Sequence, residues 1–133
     1  MTMQLVPELI CTNLDKTVEF YVNTLEFSIK YERPEDRFAY LTRERLDVMF
    51  EELSAPGRHW LTAQMNYPFG RGVNLQWETS DLVELHERVM SRNPSFIYLP
   101  LETASYRRHQ QVLRQAQFIV QDRDGYLFRF CSS

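Results

Sequence analysis

The side chains of this chain that could do chemistry do not converge. His59 lies in a Gly/Pro-containing stretch, His86 in a helical pattern and His109 in the Arg/Gln-rich run SYRRHQQ. None falls on a strand face where it could ligate a metal or act as a general base. Cys11 and Cys131 are the only cysteines; they lack CxxC spacing and sit in apolar, strand-like segments, as small buried hydrophobes do. No Ser-His-Asp order, phosphate loop or Gly-rich nucleotide fingerprint is present. What remains is a set of polar side chains that alternate with apolar ones: Glu8, Asp47, Met49, Glu51, Asn74, Gln76, Glu78 and Arg129. Their chemistry is charge and hydrogen bonding, which suits binding.

Strands and helices must position that set. Val6 to Thr12 reads as a first strand, with Leu9 and Cys11 on one face and Val6, Glu8 and Ile10 on the other; Pro7 marks an edge or a strand start. Asn13 is placed to cap a helix with apolar positions Leu14, Val18, Tyr21, Val22 and Leu25. Strands are expected over Phe27 to Arg33, Phe38 to Arg43 and Leu46 to Glu52. Ala55 to Gly72 has no clean period and reads as a connector. The order then repeats. Val73 to Thr79 is a strand, and Asp81 with Glu84 forms a capping-box pattern before Leu82, Leu85, Val89 and Met90. Phe96 to Leu101 is a strand, and Glu102 to Gln115 is polar and of open form. Gln117 to Phe130 is a hairpin turning at Asp122-Arg123-Asp124-Gly125. The two halves define an α+β chain of two βαβββ modules, 1–54 and 73–133, joined by a linker over 55–72 within one domain.

The totals agree with a globular chain. At 133 residues it is long enough for a real core, and a net charge of -3 argues against nucleic acid as a partner. There is no apolar run of membrane-spanning length and no signal pattern, so no membrane partner is expected and the cytoplasm is the default location.

The element order, the helix text NLDKTVEFYVNTLEF and the late DRDGYLFRF resemble the vicinal oxygen chelate superfamily. That family includes glyoxalase I, extradiol dioxygenases, fosfomycin-resistance enzymes and bleomycin resistance proteins. Its motifs are D-L-x(4)-x-F-Y-x-x-x-L-G-F and D-P-D-G-Y. The resemblance implies curled mixed sheets around a concave cleft, the glyoxalase/bleomycin resistance fold, and a homodimer. Metal-dependent members hold a divalent ion with His, Glu or Gln from the first and last strands of each half. Here those positions carry Val6, Met49, Asn74 and Arg129, so the resemblance implies no metal and no cofactor. A two-residue shift would instead offer Glu8, Glu51 and Gln76, the set for a metal-dependent lyase, isomerase or dioxygenase.

In lacking the metal ligands the chain is most similar to the bleomycin resistance proteins, which sequester a drug and do no chemistry on it. The expected function is therefore binding of a small aromatic or cationic molecule. The expected ligand-binding residues are Phe38, Tyr40, Met49, Glu51, Trp60, Asn74, Gln76, Tyr106 and Arg129, with no catalytic residue. Taken singly, the acids read as the wet side of a one-sided sheet; as a group over a family cavity they read as a pocket. Arg129 either clamps a ligand acid or pairs with Glu51 or Glu78. SYRRHQQ reads as a solvated face, or as a lid that orders on binding.

Overall fold

Asn13 starts the first helix as its side chain predicts. In the computed structural model, which describes residues 3–132, strand β1 (Glu8–Cys11) runs into helix α1 (Leu14–Glu19). Asn13 Oδ1 accepts the Lys16 amide at 3.1 Å, satisfying one free donor of the first turn. The helix then widens into a π turn over Phe20–Thr24, in which the Leu25 amide reaches the Phe20 carbonyl at 3.2 Å. The extra residue per turn lets neighbours face the sheet together: Phe20 with Tyr21, and Thr24 with Leu25 are all buried. The expected stripe therefore changes, because Thr17, Phe20 and Thr24 are buried while Val18 and Val22 are only half-buried.

Glu26 reverses the chain with φ 62, and the Phe27 amide closes back on the Tyr21 carbonyl at 2.9 Å. β2 (Ser28–Arg33), a 3-10 turn over Pro34–Asp36, β3 (Phe38–Arg43) and β4 (Leu46–Glu52) follow, the last two with the bounds expected from alternation. The sheet order is β1-β4-β3-β2, with β1 parallel to β4 and the other pairs antiparallel. One face packs under the helix: Tyr21 sits 4.8 Å from Phe50 between ring centroids, and Leu41 and Val48 are fully buried. Arg43 shares this buried side because its Nε donates to the Leu25 carbonyl at 2.8 Å, capping the helical segment.

The chain divides between Met65 and Asn66 into two compact units. The stretch expected as a linker is irregular, but its ends belong to opposite units. Ala55 is buried in the first, and the Phe69 amide donates to the Asp124 carbonyl at 2.7 Å in the second.

The second unit contains β5 (Asn74–Glu78), α2 (Leu82–Arg92), β6 (Ile97–Arg108), β7 (Gln111–Gln121) and β8 (Leu127–Cys131). Its order is β5-β8-β7-β6, with β5 parallel to β8. Leu82, Leu85 and Val89 are buried as expected, whereas Met90 and Val73 are exposed. Asp81 occupies the N-cap but makes no capping hydrogen bond from its side chain; instead its Oδ1 accepts from Thr79 Oγ1 at 2.8 Å. Trp77 stacks on Phe128 at 4.8 Å, and Phe118 on Phe130 at 5.4 Å, to form the core.

The polar stretch of open form is the largest difference between expectation and structure. Glu102 to Gln115 is the distal part of a long hairpin, β6 and β7, that turns at His109-Gln110. His86 explains how its root is tolerated. Two register shifts interrupt the ladder before Glu102, and in that interval the Leu101 amide donates to His86 Nε2 at 3.2 Å.

The last hairpin turns as predicted. Asp122 Oδ1 accepts the amides of Asp124, Gly125 and Tyr126, each at 3.0 Å. Gly125 has φ 104, and a Cβ there would stand 2.7 Å from Pro68 Cα, so the close approach of the 68–70 segment requires glycine. No helix among the described residues is long and apolar enough to cross a membrane.

Candidate functional site

Each sheet has one helix-covered face and one face that carries the polar set. In the first unit the register places Glu8 beside Met49 and Ile10 beside Glu51 across β1 and β4. Phe38, Tyr40 and Thr42 stand beside Glu51, Met49 and Asp47 across β3 and β4. Tyr31 and Arg33 extend the same row onto β2. Direct cross-strand partners share a face, so these residues form one surface.

Aromatic rings pave it. Tyr31, 45% exposed, stacks on Tyr40 at 5.1 Å with an interplanar angle of 28°. Phe38 lies beneath the Arg33 guanidinium, 4.0 Å from its ring centroid, and is 2% exposed. Phe38 and Tyr40 therefore form the floor, and Tyr31 is the ring open to solvent. Trp60 is 73% exposed, with the Arg58 guanidinium 4.0 Å from its ring centroid.

Two acids of this face, Asp47 and Glu51, are already matched. Asp47 accepts from Tyr40 Oη at 2.5 Å, Thr42 Oγ1 at 2.6 Å and Gln4 Nε2 at 2.7 Å, and Lys30 stands 4.0 Å away. Burial opposes its charge, but the hydrogen bonds from Thr42, Tyr40 and Gln4, with the charge of Lys30, outweigh that and hold it below the usual carboxylate range. The same bond pushes the Tyr40 phenol up to about 12. Glu51 is met by His59 Nδ1 at 2.6 Å. Sequence reasoning missed His59, because the irregular 55–60 segment gives no period from which its direction could be read.

In the second unit Asn74 pairs with Leu127 and Gln76 with Arg129. Gln121 and Ile119 continue those rows onto β7. Tyr106 Oη donates to Gln117 Oε1 at 2.8 Å, Gln117 Nε2 donates to Glu102 Oε1 at 3.0 Å, and Arg129 Nη1 approaches Tyr106 Oη at 3.5 Å. The expected residues Gln76, Tyr106 and Arg129 thus gather on one face, together with the unexpected Gln117 and Glu102. Arg129 Nε is buried without a hydrogen-bond partner. Beside this cluster, Pro68, Phe69, Asn74, Tyr98, Gln121 and Leu127 help line a hollow of about 360 Å³.

These residues do not fit a resident divalent metal at the positions that metal-dependent relatives would use. Val6 has no ligating atom, Met49 offers a soft thioether, and Arg129 brings a cation that would repel one. In the shifted set, Glu51 is held by His59 and Gln76 lies across from Arg129. Within neither unit do three His, Cys, Asp or Glu side chains converge among the described residues.

Tandem βαβββ units with mixed four-stranded sheets, each open on one face, define the glyoxalase/bleomycin resistance fold. The comparisons narrow this to a family. A glyoxalase/bleomycin resistance protein/dioxygenase superfamily member from Vibrio splendidus 12B01 is 41% identical over 99% of this chain and 100% of that one, with a TM-score of 0.47. The chain belongs to that superfamily, on the strength of this sequence identity. For the fold, TioX from Micromonospora sp. ML1 superposes with a TM-score of 0.76 at 21% identity, covering 98% of each chain. A bleomycin-binding protein complexed with bleomycin gives 0.62 at 22% identity over 99% of each chain. No family model and no curated protein matches.

Proposed function

We propose that this chain is a metal-independent binding protein, a homodimer that sequesters a small aromatic or cationic molecule of the bleomycin type, as an antibiotic resistance protein does. The observation that carries the metal-independent part of the reading is Arg129, a cation where metal-dependent relatives would place a ligand. A guanidinium stays protonated throughout the physiological range, and it stands on the open face with hydrogen-bonding neighbours Gln76, Tyr106 and Gln117. That group can bind and orient polar atoms, and it contains no nucleophile paired with a base. The half-open Tyr31–Tyr40 stack on the other unit offers a planar ligand a surface of matching shape. Bleomycin is the ligand of one structural neighbour, which supports the ligand class.

Elemental analysis after incubation with Zn, Ni, Mn and Fe(II), followed by calorimetry with bleomycin and then with other planar cationic compounds, tests the proposal. Saturable binding with the compound recovered unchanged, and no stoichiometric ion, is the expected result. One tightly held divalent ion per chain, or conversion of the compound, would overturn it.

A further inference from the structure

The hollow beside the Arg129 cluster is walled by the loop that leads into β5. Its floor is one row across three strands, because Asn74 and Gln121 both pair with Leu127. Residues 68–73 form one wall, and Tyr98, at the interrupted start of β6, lines another side. The loop wall is pinned to the turn before β8. The Phe69 amide donates to the Asp124 carbonyl at 2.7 Å, the Phe69 ring meets Tyr126 edge-on at 5.9 Å, and the Val73 amide closes on the Gly70 carbonyl at 3.0 Å. Arg71 is tied to the same loop, its Nε donating to the Pro68 carbonyl at 3.2 Å and its Nη2 to the Tyr67 carbonyl at 2.9 Å. A wall fixed in advance spares a ligand the cost of ordering it. At about 360 Å³ the hollow falls at the lower end of the range of small-molecule pockets, about 300–1,000 Å³.

What sets the hollow apart is hydrogen-bonding capacity that the chain does not use. The Asn74 amide group and the Tyr98 hydroxyl have no side-chain hydrogen-bond partner among the described residues. Gln121 spends a single amide hydrogen, on the Gly125 carbonyl at 3.4 Å. Arg71 donates to neutral carbonyls, and no carboxylate pairs with it among the described residues. Its charge is therefore uncompensated, unlike those of Asp47 and Glu51 on the first sheet. No acid lines the hollow. The acids of the adjoining turn are buried, and Asp122 Oδ1 is occupied by three amides. The next row along the floor holds Arg129, a second cation. A recess lined by one sign of charge concentrates ions of the other sign. The remaining lining is apolar, with Pro68, Phe69, Val73 and Leu127 around these polar groups.

We propose that this hollow is a second binding site, one that takes a small carboxylate with a flat apolar body, such as an aromatic acid. Arg71 donates to the carboxylate, Phe69, Val73 and Leu127 cover the body, and Asn74 and Tyr98 serve its remaining polar atoms. Arg71 is the residue that sets the charge preference. The inference goes beyond the proposed function, since the ligand carries the opposite charge to a cationic drug and needs neither the Tyr31–Tyr40 stack nor Arg129.

Benzoate, benzamide and benzamidine share a shape and carry negative, no and positive charge, so NMR titration of the full chain with the three compounds tests the site. Saturable shifts of the Asn74 and Gln121 side-chain amides are expected with benzoate. Benzamide should bind roughly tenfold more weakly, and benzamidine should leave these signals unmoved. Arg71→Gln should bring benzoate down to the level of benzamide. Because Arg71 also holds the loop, Val73→Trp supplies an independent check. It fills the hollow from a position that is 55% exposed, keeps the Arg71 bonds, and should abolish benzoate binding, with circular dichroism as the control for folding. Benzamidine binding as tightly as benzoate, benzoate binding that survives Val73→Trp, or no saturable shift with any of the three overturns the proposal. Each of these outcomes leaves the drug-binding reading standing, since that reading is tested with bleomycin and planar cations.

Discussion

His59 Nδ1 stands 2.6 Å from a Glu51 carboxylate oxygen, and His59 Nε2 stands 3.0 Å from the Ala55 carbonyl. Both neighbours accept hydrogen bonds, so both ring nitrogens must donate, and the geometry selects the imidazolium. The Glu51 bond first, and the Ala55 carbonyl second, raise the His59 pKa above its ordinary 6.5. The pair ties the irregular 55–60 segment onto the polar face of the first sheet.

A pH dependence follows with a definite sign. Because the folded value is raised, the stability contributed by His59 is complete below its ordinary pKa of 6.5 and is lost as pH rises through the folded value. Imidazole NMR titration should show His59 holding its proton above its ordinary pKa of 6.5. His59→Ala should flatten the urea stability profile above neutrality. An unchanged profile would mean that the contact does not hold the segment in solution.

Acid stability should depend on Glu52. Its Oε2 accepts from Arg37 Nη2 at 2.7 Å and from the Leu14 amide at 2.8 Å, and its Oε1 from Ser54 Oγ at 2.7 Å. The Arg37 bond above all, then the Leu14 amide, lowers its pKa to about 2 from 4.5. The contribution is therefore present above 4.5 and is lost as pH falls toward 2. Glu52→Gln should cost about 1–3 kcal/mol near neutrality, as expected for hydrogen bonds to a charged group. Thermal melts from pH 7 downward should show the variant and the wild type converging in acid. A constant gap would place the cost in packing.

What was legible in the sequence was what local rules decide. β3 and β4 kept their expected bounds because strict alternation and a tight turn leave one register. The Asp122 to Gly125 turn was legible because one glycine and one aspartate set its backbone. The long β6–β7 hairpin was not, because its turn uses His109 with φ 58 in place of Asn-Gly, and its alternation is polar on both faces. The α1 stripe was misread where a π turn replaced the 3.6-residue period. At the site, alternation placed Asp47, Glu51, Gln76 and Arg129 on the right faces. It could not show that Phe38 and Tyr40 lie under other groups, since burial depends on what crosses above a strand.

Glu26 offers a stabilising substitution. It stands where the family motif L-G-F has glycine, and it holds φ 62, a conformation in which an L side chain crowds its own backbone. Glu26→Gly should raise stability by about 0.5–1 kcal/mol, read as a higher urea midpoint with an unchanged slope. A lower midpoint would show that contacts of the Glu26 side chain outweigh the strain.

Tyr31 and Tyr40 separate ligand stacking from support of the fold. Tyr31 is open on one side and lies on Tyr40, whereas Tyr40 is buried with its hydroxyl on Asp47. Tyr31→Ala removes the exposed ring and should weaken binding of a planar compound roughly tenfold, with little loss of stability. Tyr40→Phe keeps the stack but strips Asp47 of a donor, so it should cost about 1–2 kcal/mol of stability and leave affinity nearly unchanged. Calorimetry and urea unfolding on both variants read the two effects independently. If Tyr31→Ala binds like the wild type, the first sheet is not the stacking surface, and the ligand is to be sought on the Arg129 face, where the hydrogen-bonding groups stand.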